Sequence, residues 1–288
     1  MSKEKKEVDL TMDNRYKKVL LETMKAFIDF CSQNKLEYVA AYGTALGAVR
    51  HKGLIPWDDD IDVFMTRDNY EKFLECREKA KLAGYEIFDL NDEGYYLPFA
   101  KFCNANTTLW EVERLPFVMG VFIDVFPLDF TSEDESYSVE VRRQYKEFWG
   151  WYFQSLKKFK VGDFVSPHLV KAFLKSLYYS LIIKKKDIVR LENEIKKIQG
   201  PYRMSYGAIY SYEQSKFREE WFKECIEVPF EDFSIRIPED YDAFLTHCYG
   251  NYMEPPPVEK RVTQHYHYFV DLERRLSIED IKKIKNGK

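Results

Sequence analysis

Four aspartates within a run of five residues lead directly into an apolar stretch, and this feature constrains the fold more than any other. They are Asp58, Asp59, Asp60 and Asp62. The apolar stretch predicts a strand over 61–65. Alternation along an extended chain places Asp58, Asp60 and Asp62 on one face. Like charges this close repel each other unless a cation lies between them. Mg²⁺ or Mn²⁺ suits the site, because hard divalent ions prefer oxygen ligands and leave positions open for phosphates.

Two other interpretations of the acidic run are a solvated turn and a calcium loop. A solvated turn is disfavoured because the run continues into a predicted core strand and not into a polar tail. A calcium loop that began at Asp58 would need Gly at its sixth position and Glu at its twelfth, where the chain has Val63 and Asn69. The transition from acidic run to apolar strand therefore favours a magnesium-type site.

A further aspartate, Asp124, lies inside a second apolar stretch, the predicted strand 121–126. A charged side chain at such a position costs several kcal/mol unless it is paired or ligated. Asp124 is therefore either bonded to a nearby Arg or Lys, or is a third metal ligand or general base opposite Asp60 and Asp62. On the second interpretation, the three carboxylates converge on one divalent ion.

Residues 42–53 precede the acidic run and combine glycine, a hydroxyl group and positive charge. Gly43 lets the backbone approach a ligand closely. Thr44 is expected near the start of a helix over 44–51, where free N–H groups favour an anion. Arg50 and His51 follow. A Gly-Thr pair alone is more often a simple turn, but here an Asp-x-Asp that feeds a strand follows about 16 residues later.

This order, Gly-Thr on a helix, Asp-x-Asp on a strand and one more Asp on a later strand, resembles the nucleotidyltransferase superfamily. It is more similar still to the LicD family, which includes bacterial phosphocholine transferases and, more distantly, fukutin and fukutin-related protein. The segments that carry the resemblance are 43–53, 55–62, Lys101 with 106–107, 122–129, 249–253 and 255–256. No motif in 136–200 contributes to it.

The resemblance implies an enzyme that moves a substituted phosphate from a CDP-activated donor to a hydroxyl of a glycan and releases CMP. The expected group is phosphocholine from CDP-choline, and the expected acceptor is a cell-surface glycan or teichoic acid precursor. The alternatives are another CDP-activated group (phosphoethanolamine, glycerol phosphate or ribitol phosphate), transfer of NMP itself, a glycosyltransferase with a DxD metal site, and an inactive nucleotide-binding scaffold. The intact aspartates argue against a scaffold. The apolar strand follows the acidic motif, whereas in glycosyltransferases it usually precedes it.

The resemblance also implies roles for individual side chains. Asp60, Asp62 and Asp124 would be catalytic and would hold the Mg²⁺ or Mn²⁺, with Asp124 as general base or as ligand of a second metal. The side chains expected to contact substrate are Gly43, Thr44, Arg50, His51, Trp57, Asp58 and Lys101. Among these, the glycine and threonine would face the donor phosphates, and the arginine and lysine would neutralise them.

The predicted fold class is α+β, a nucleotidyltransferase-like mixed sheet flanked by helices. Residues 1–135 are expected to form the catalytic core, 136–200 a basic and aromatic helical insertion, and 201–288 a C-terminal portion that completes the site. Hydrophobic residues make up 45% of the 288, enough for a large core. A net charge of -4 argues against a nucleic-acid partner.

Local patterns predict the first helices and strands, and they leave the role of two histidines undecided. Helices are expected over 13–35, 44–51 and 66–83, and strands over 38–42, 61–65, 85–89, 97–103, 107–112 and 121–126. His265 and His267 would share one face of an extended segment. They would either reach the active site or make structural hydrogen bonds.

Cysteine use and the N-terminus predict a cytoplasmic protein. The chain has five cysteines and no CxxC pair, and it begins without the apolar segment of a signal peptide. Segment 157–186 holds eight lysines against Asp163 alone, together with aromatic residues. It is either a solvated insertion or a surface that contacts the inner membrane face, which would suit a lipid-linked acceptor.

Overall fold

The computed structural model describes residues 14–263 and 267–287. The α-helices are α1 (Asn14–Asn34), α2 (Tyr42–Arg50), α3 (Arg67–Glu75), α4 (Arg77–Leu82), α5 (Glu135–Ser155), α6 (Pro167–Ile182), α7 (Lys185–Ile195), α8 (Tyr212–Ser215), α9 (Tyr241–Tyr249) and α10 (Ile278–Lys285). The strands are β1 (Val39–Ala40), β2 (Asp62–Thr66), β3 (Tyr85–Phe88), β4 (Ala100–Asn104), β5 (Thr108–Trp110), β6 (Phe122–Thr131), β7 (Tyr202–Met204), β8 (Lys216–Arg218), β9 (Cys225–Phe230), β10 (Phe233–Pro238) and β11 (Phe269–Asp271). Three 3₁₀ turns span Val161–Val165, Glu219–Phe222 and Val258–Lys260.

A mixed sheet organises the molecule, with strands in the order β1-β2-β6-β4-β3. Strands β2 and β6 run parallel, whereas β1, β3 and β4 join antiparallel. The second half of β6 pairs with β7, which pairs in turn with β8. Two antiparallel ribbons, β9–β10 and β5–β11, lie outside this sheet. The predicted α+β class with a mixed sheet is confirmed.

Strand β6 lies in the middle of the sheet, and its sequence explains why. Of its ten residues, only Phe130 is not buried, so both faces of the strand are covered. Helices α1 and α3 both contact β6. Helix α1 turns a stripe of apolar side chains inward at helical spacing, including Leu20, Met24 and Phe27. The helix predicted over 13–35 is thus confirmed for the described residues, with Asp13 outside them.

Several predicted elements differ from the structure in their bounds. The strand expected over 38–42 is only two residues long, because the carbonyl of Ala41 already accepts the first helical hydrogen bond, from the N–H of Ala45. Helix α2 therefore begins at Tyr42 and not at Thr44. The helix expected over 66–83 is two helices, α3 and α4, which meet at Cys76.

Residues 136–200 are helical, as predicted, and pack on the rest of the chain through a second apolar cluster. Its buried members are Leu90, Val141, Tyr145, Trp149, Ile188, Leu191, Ile195, Ile198, Met204 and Tyr206. Helices α5 and α7 supply most of them. Within 14–263 and 267–287, no helix combines the length and the apolar character that crossing a membrane requires.

Candidate active site

The parallel strands β2 and β6 bring two aspartates side by side. Their register pairs Asp62 with Asp124. Side chains of residues paired in this way project from the same face of a sheet. Because β2 begins at Asp62, Asp60 lies just before the strand, at the edge of the sheet. The acidic run and the distant Asp124 therefore meet at one place.

The aspartates approach closely enough to share an ion. Asp60, Asp62 and Asp124 each offer a carboxylate oxygen, and these atoms lie within 4.8 Å of one another. Asp58 and Asp59 form a second such group with Asp60. Asp58, Asp60 and Asp62 line one cavity, whereas Asp59 is 5% exposed and is not among the lining residues. The alternation expected along the acidic run is thus observed.

The electrostatics of this group favour a bound cation. Burial raises the pKa of Asp62 well above its usual value, and the charges of Asp60 and Asp124 raise it further. Burial also raises the pKa of Asp124, although Lys101 opposes this. Carboxylates in such a place cannot all ionise near neutral pH without compensating positive charge. Mg²⁺ and Mn²⁺ match the all-oxygen donor set, so the residues present fit the expected metal.

Lys101 lies behind the carboxylates and does not line the cavity. Register pairs it with Asp124 from the side opposite β2. Its Nζ is 2.7 Å from Asp124 Oδ1 and 3.7 Å from Glu111 Oε1, and the side chain is 2% exposed. The nitrogen also lies over the ring of Phe122. Lys101 was expected to neutralise donor phosphates, but the structure pairs it with Asp124 instead.

Glu111 is a residue that the sequence analysis missed. It accepts a hydrogen bond from the hydroxyl of Tyr96 and faces Lys101. A chain of polar contacts thus runs from Tyr96 through Glu111 and Lys101 to Asp124. The signal was present, because Glu111 directly follows the buried strand β5, just as Asp124 lies inside a buried strand.

The start of helix α2 positions the acidic run. Gly43 lines the cavity, and a Cβ there would lie 2.6 Å from Asp58 Oδ2, so a larger residue would displace that carboxylate. Thr44 is buried, and its hydroxyl accepts a hydrogen bond from the N–H of Asp62 at 2.8 Å. Thr44 was expected to face phosphates. In the structure, its hydroxyl instead fixes the backbone of Asp62.

The end of helix α2 joins the cavity to the C-terminal portion. Arg50 lines the cavity, and its guanidinium donates to the carbonyl of Tyr252 at 2.7 Å. His51 is not among the lining residues, and its Nδ1 accepts from the Nε of Arg50 at 3.3 Å. Trp57 lines the cavity, and its ring meets His51 edge-on and has the guanidinium of Arg261 5.3 Å above it.

The cavity has a volume of about 510 Å³ and is lined by residues from two separate parts of the chain, 42–126 and 208–262. Its aromatic wall consists of Tyr42, Trp57, Phe99, Phe126, Tyr210, Tyr249 and Tyr252. Asn251, Glu254, Pro256 and Val262 add further contacts from the C-terminal portion. Most of the aromatic wall could not be selected from sequence, because 17% of the chain is aromatic and most aromatic side chains are core.

Helix α1 also reaches the back of the site. Tyr16 is buried, and its pKa is raised by burial and by the negative charges of Asp59 and Asp60. The ring of His267 lies 5.5 Å from that of Tyr16. His267 therefore approaches the site through Tyr16, whereas His265 lies outside the described residues.

Comparison with known proteins bears on the fold. The α+β architecture with a mixed sheet is consistent with a nucleotidyltransferase-like domain. Residues 35–167 match the model of a family described as LicD/FKTN/FKRP, nucleotidyltransferase domain. The chain thus carries a LicD-family domain, and the predicted relationship to that family is confirmed.

Similarity to one relative extends through most of the chain. A lipopolysaccharide cholinephosphotransferase LicD of Haemophilus influenzae is 28% identical over 254 residues, which cover 86% of this chain and 93% of that protein. An uncharacterized protein of Rickettsia typhi is 31% identical over 121 residues, or 42% of this chain and 38% of that one.

Proposed function

We propose that this chain is a metal-dependent transferase that moves a substituted phosphate from a CDP-activated donor to a hydroxyl of a glycan and releases CMP. The observation that carries the proposal is the convergence of Asp60, Asp62 and Asp124 beside a cavity of about 510 Å³. That volume lies within the range usual for small-molecule sites, about 300–1,000 Å³. The name of the Haemophilus influenzae relative, a lipopolysaccharide cholinephosphotransferase, supports phosphotransfer to a glycan.

In this proposal, the same three aspartates hold Mg²⁺ or Mn²⁺, which when bound neutralises phosphate charge and stabilises the leaving CMP. The hydroxyl of Thr44 keeps the backbone of Asp62 in place. Lys101 orients Asp124 through its 2.7 Å contact. Asp58 lies at the cavity wall as an additional carboxylate.

During transfer, the oxygen of the acceptor hydroxyl bonds to the donor phosphorus that carries the head group. The bond from that phosphorus to the oxygen of CMP breaks, and the electron pair leaves with CMP. We assign the acceptance of the hydroxyl proton to Asp124, because its carboxylate lines the cavity beside Asp60 and Asp62. Arg50 adds positive charge at the cavity wall, and Gly43 leaves room for the donor phosphates.

We propose phosphocholine from CDP-choline as the transferred group. A quaternary ammonium cannot donate hydrogen bonds, and it binds against aromatic faces. Aromatic side chains that could provide such contacts line the cavity at Phe99, Phe126, Tyr210 and Tyr249. A polyol phosphate would instead need hydrogen-bonding partners for several hydroxyl groups, which the rings of Phe99 and Phe126 cannot supply.

The proposal includes the arrangement and location of the enzyme. Residues 1–135 and 201–288 would form the catalytic unit together, supported by lining residues from both parts. The acceptor would be a lipid-linked glycan precursor at the cytoplasmic side of a membrane. The five cysteines, none of them in a disulfide, agree with a reducing compartment.

The direct test measures CMP release from CDP-choline, CDP-ethanolamine, CDP-glycerol and CDP-ribitol, with simple glycosides as acceptors, with and without Mg²⁺. We expect CDP-choline to react fastest and chelation to stop the reaction. A Phe99→Leu variant should raise KM for CDP-choline by about tenfold and raise it less for CDP-ethanolamine. Donor binding, read from thermal shifts, keeps the test informative if the glycosides are poor acceptors.

The matched variants are Asp62→Asn at the site and Asp29→Asn on the exposed surface of α1. Asp62→Asn should lose CMP release and retain its circular dichroism, whereas Asp29→Asn should behave like the unaltered protein. Activity that survives in Asp62→Asn would refute the metal assignment. A preference for CDP-ribitol or CDP-glycerol would overturn the choice of donor and leave the reaction class intact.

A further inference from the structure

Helix α6 has an outward face that is apolar and uncovered. Leu174, Leu177, Tyr178, Leu181 and Ile182 are between 45% and 70% exposed. Their spacing of three and four residues places them along one side of the helix. Only Ser176 of the helix is buried. A helix with so many apolar residues is normally enclosed by protein or lipid.

The opposite side of α6 is already occupied. The ring of Tyr179 stacks on Trp151 of α5 at 5.9 Å. Phe173 contacts Phe159 and Phe164 at 5.6 and 5.0 Å. Helix α6 therefore packs on the rest of the protein through its inner side. Its exposed apolar residues lie on the other side.

The 3₁₀ turn before the helix extends this apolar surface. Val161 and Val165 are each 88% exposed, and Phe164 is 46% exposed. Phe164 also touches Phe173, so the turn lies against α6. Exposed apolar side chains on a turn and on the adjoining helix together exceed the isolated exposures that are normal on a protein surface.

Positive charge surrounds these apolar residues. Segment 157–186 contains eight lysines and one acidic residue, Asp163, which is engaged by Arg114 at 2.6 Å. Lys171 and Lys175 are exposed on α6 itself, and Lys184 is exposed at its end. The whole chain has a net charge of -4, so the basic character is local to this surface.

We propose that α6 and the turn Val161–Val165 bind peripherally to a bilayer that contains anionic phospholipid, with the apolar residues in the interface and the lysines at the headgroups. Apolar side chains bordered by lysines match both layers of such an interface. A second copy of the chain is a poorer occupant, because a symmetric contact would bring the lysines of one copy against those of the other. The inference stands independently of the proposed reaction.

Vesicle flotation of the full chain tests the proposal. We expect binding to phosphatidylcholine vesicles that contain phosphatidylglycerol, little binding to phosphatidylcholine alone, and release at high salt. Leu177→Glu with Leu181→Glu, and separately Lys171→Glu with Lys175→Glu, should each lower the vesicle partition coefficient by about tenfold or more. The matched controls are Leu82→Glu, at a residue 89% exposed on α4, and Lys282→Glu with Lys283→Glu on α10.

Three results would overturn the proposal. One is equal binding to neutral and anionic vesicles. Another is a fall in the vesicle partition coefficient of the control variants as large as that of the α6 variants. The third is a dimer, seen by light scattering without vesicles, that Leu177→Glu with Leu181→Glu dissociates. CMP release on a water-soluble acceptor should be unchanged in all these variants, which separates failure of this proposal from failure of the proposed reaction.

Discussion

Strand β6 carries two buried aspartates five positions apart, and the structure treats them in opposite ways. The Nε and Nη2 groups of Arg67 donate hydrogen bonds to the two carboxylate oxygens of Asp129, each 2.7 Å long. Asp124 receives a single lysine and faces two further aspartates. An odd separation places the two side chains on opposite faces of the strand. One face meets helix α3, and the other meets the cavity.

The difference separates a structural ion pair from a reactive site. A bidentate arginine satisfies both oxygens of a carboxylate and leaves little for a ligand. The single contact from Lys101 leaves the Asp124 carboxylate with negative neighbours, and burial raises its pKa. Carboxylates that converge in a cleft and have perturbed pKa values are typical of a metal or catalytic site.

The largest effect is expected from Asp124→Asn. The change removes a charge that we assign to the metal and to the acceptor proton, so kcat/KM should fall on the order of 10³-fold. Asp129→Asn, in the same strand, should leave kcat/KM of the folded fraction within about twofold. Steady-state CMP release, normalised to folded protein, measures both. Equal losses in the two variants would erase the distinction between the faces of β6.

Stability, unlike activity, should depend more on the ion pair of Asp129 than on the Asp124 site. Arg67→Ala leaves the Asp129 carboxylate buried without its bidentate arginine partner, so the free energy of unfolding should fall by about 3–5 kcal/mol. Urea unfolding measures this. Arg143→Ala, which breaks exposed ion pairs with Glu140 and Glu147, is the control and should show no measurable change. A similarly small effect of Arg67→Ala would mean that the buried pair contributes little.

A smaller effect is expected from Thr44→Val, which removes the acceptor for the Asp62 N–H and leaves that donor unsatisfied. Misplacing the carboxylate should lower kcat/KM by about tenfold. Thr44→Ser keeps the acceptor and should restore most of the activity. If valine and serine behave alike, the hydroxyl has no positioning role.

The smallest expected effect is a pH-dependent shift in melting temperature. Because burial raises the pKa of Asp62, the folded chain holds a proton that the unfolded chain releases, and stability without metal should fall as pH rises above about 4. Mg²⁺ binds only ionised carboxylates, so its stabilising shift, about 4 °C near saturation, should be larger near pH 8 than near pH 5.5.

One variant in β2 and one in β6 sharpen this measurement. Asp62→Asn should lose the Mg²⁺-dependent shift, and Asp129→Asn should keep it. A shift of the same size at both pH values, or one retained in Asp62→Asn, would place the ion elsewhere.

Local patterns predicted much of the fold and of the site. The acidic run alternates as expected, because the period of an extended chain is a local property. The helix ends were harder. Helix α2 begins at Tyr42, since the carbonyl of Ala41 already accepts the first helical hydrogen bond, and nothing in the Gly-Thr pair indicates this.

Roles that depend on neighbours were beyond the sequence. Lys101 and Thr44 were both expected at the donor phosphates, yet one pairs with Asp124 and the other binds the backbone of Asp62. Both contacts join residues on different secondary-structure elements. A side chain's partner is set by the packing of those elements, which spacing along one segment does not specify.

The local sequence was enough to predict carboxylates at the start of a buried strand, because alternation and apolar content act over a few residues. The position of β6 beside β2, in the register that pairs Asp62 with Asp124, became known only from the folded structure. So did the contribution of the C-terminal portion to much of the aromatic wall. Pairing between distant strands depends on the apolar surface that whole faces of the sheet bury together. That surface is buried only when the chain has folded.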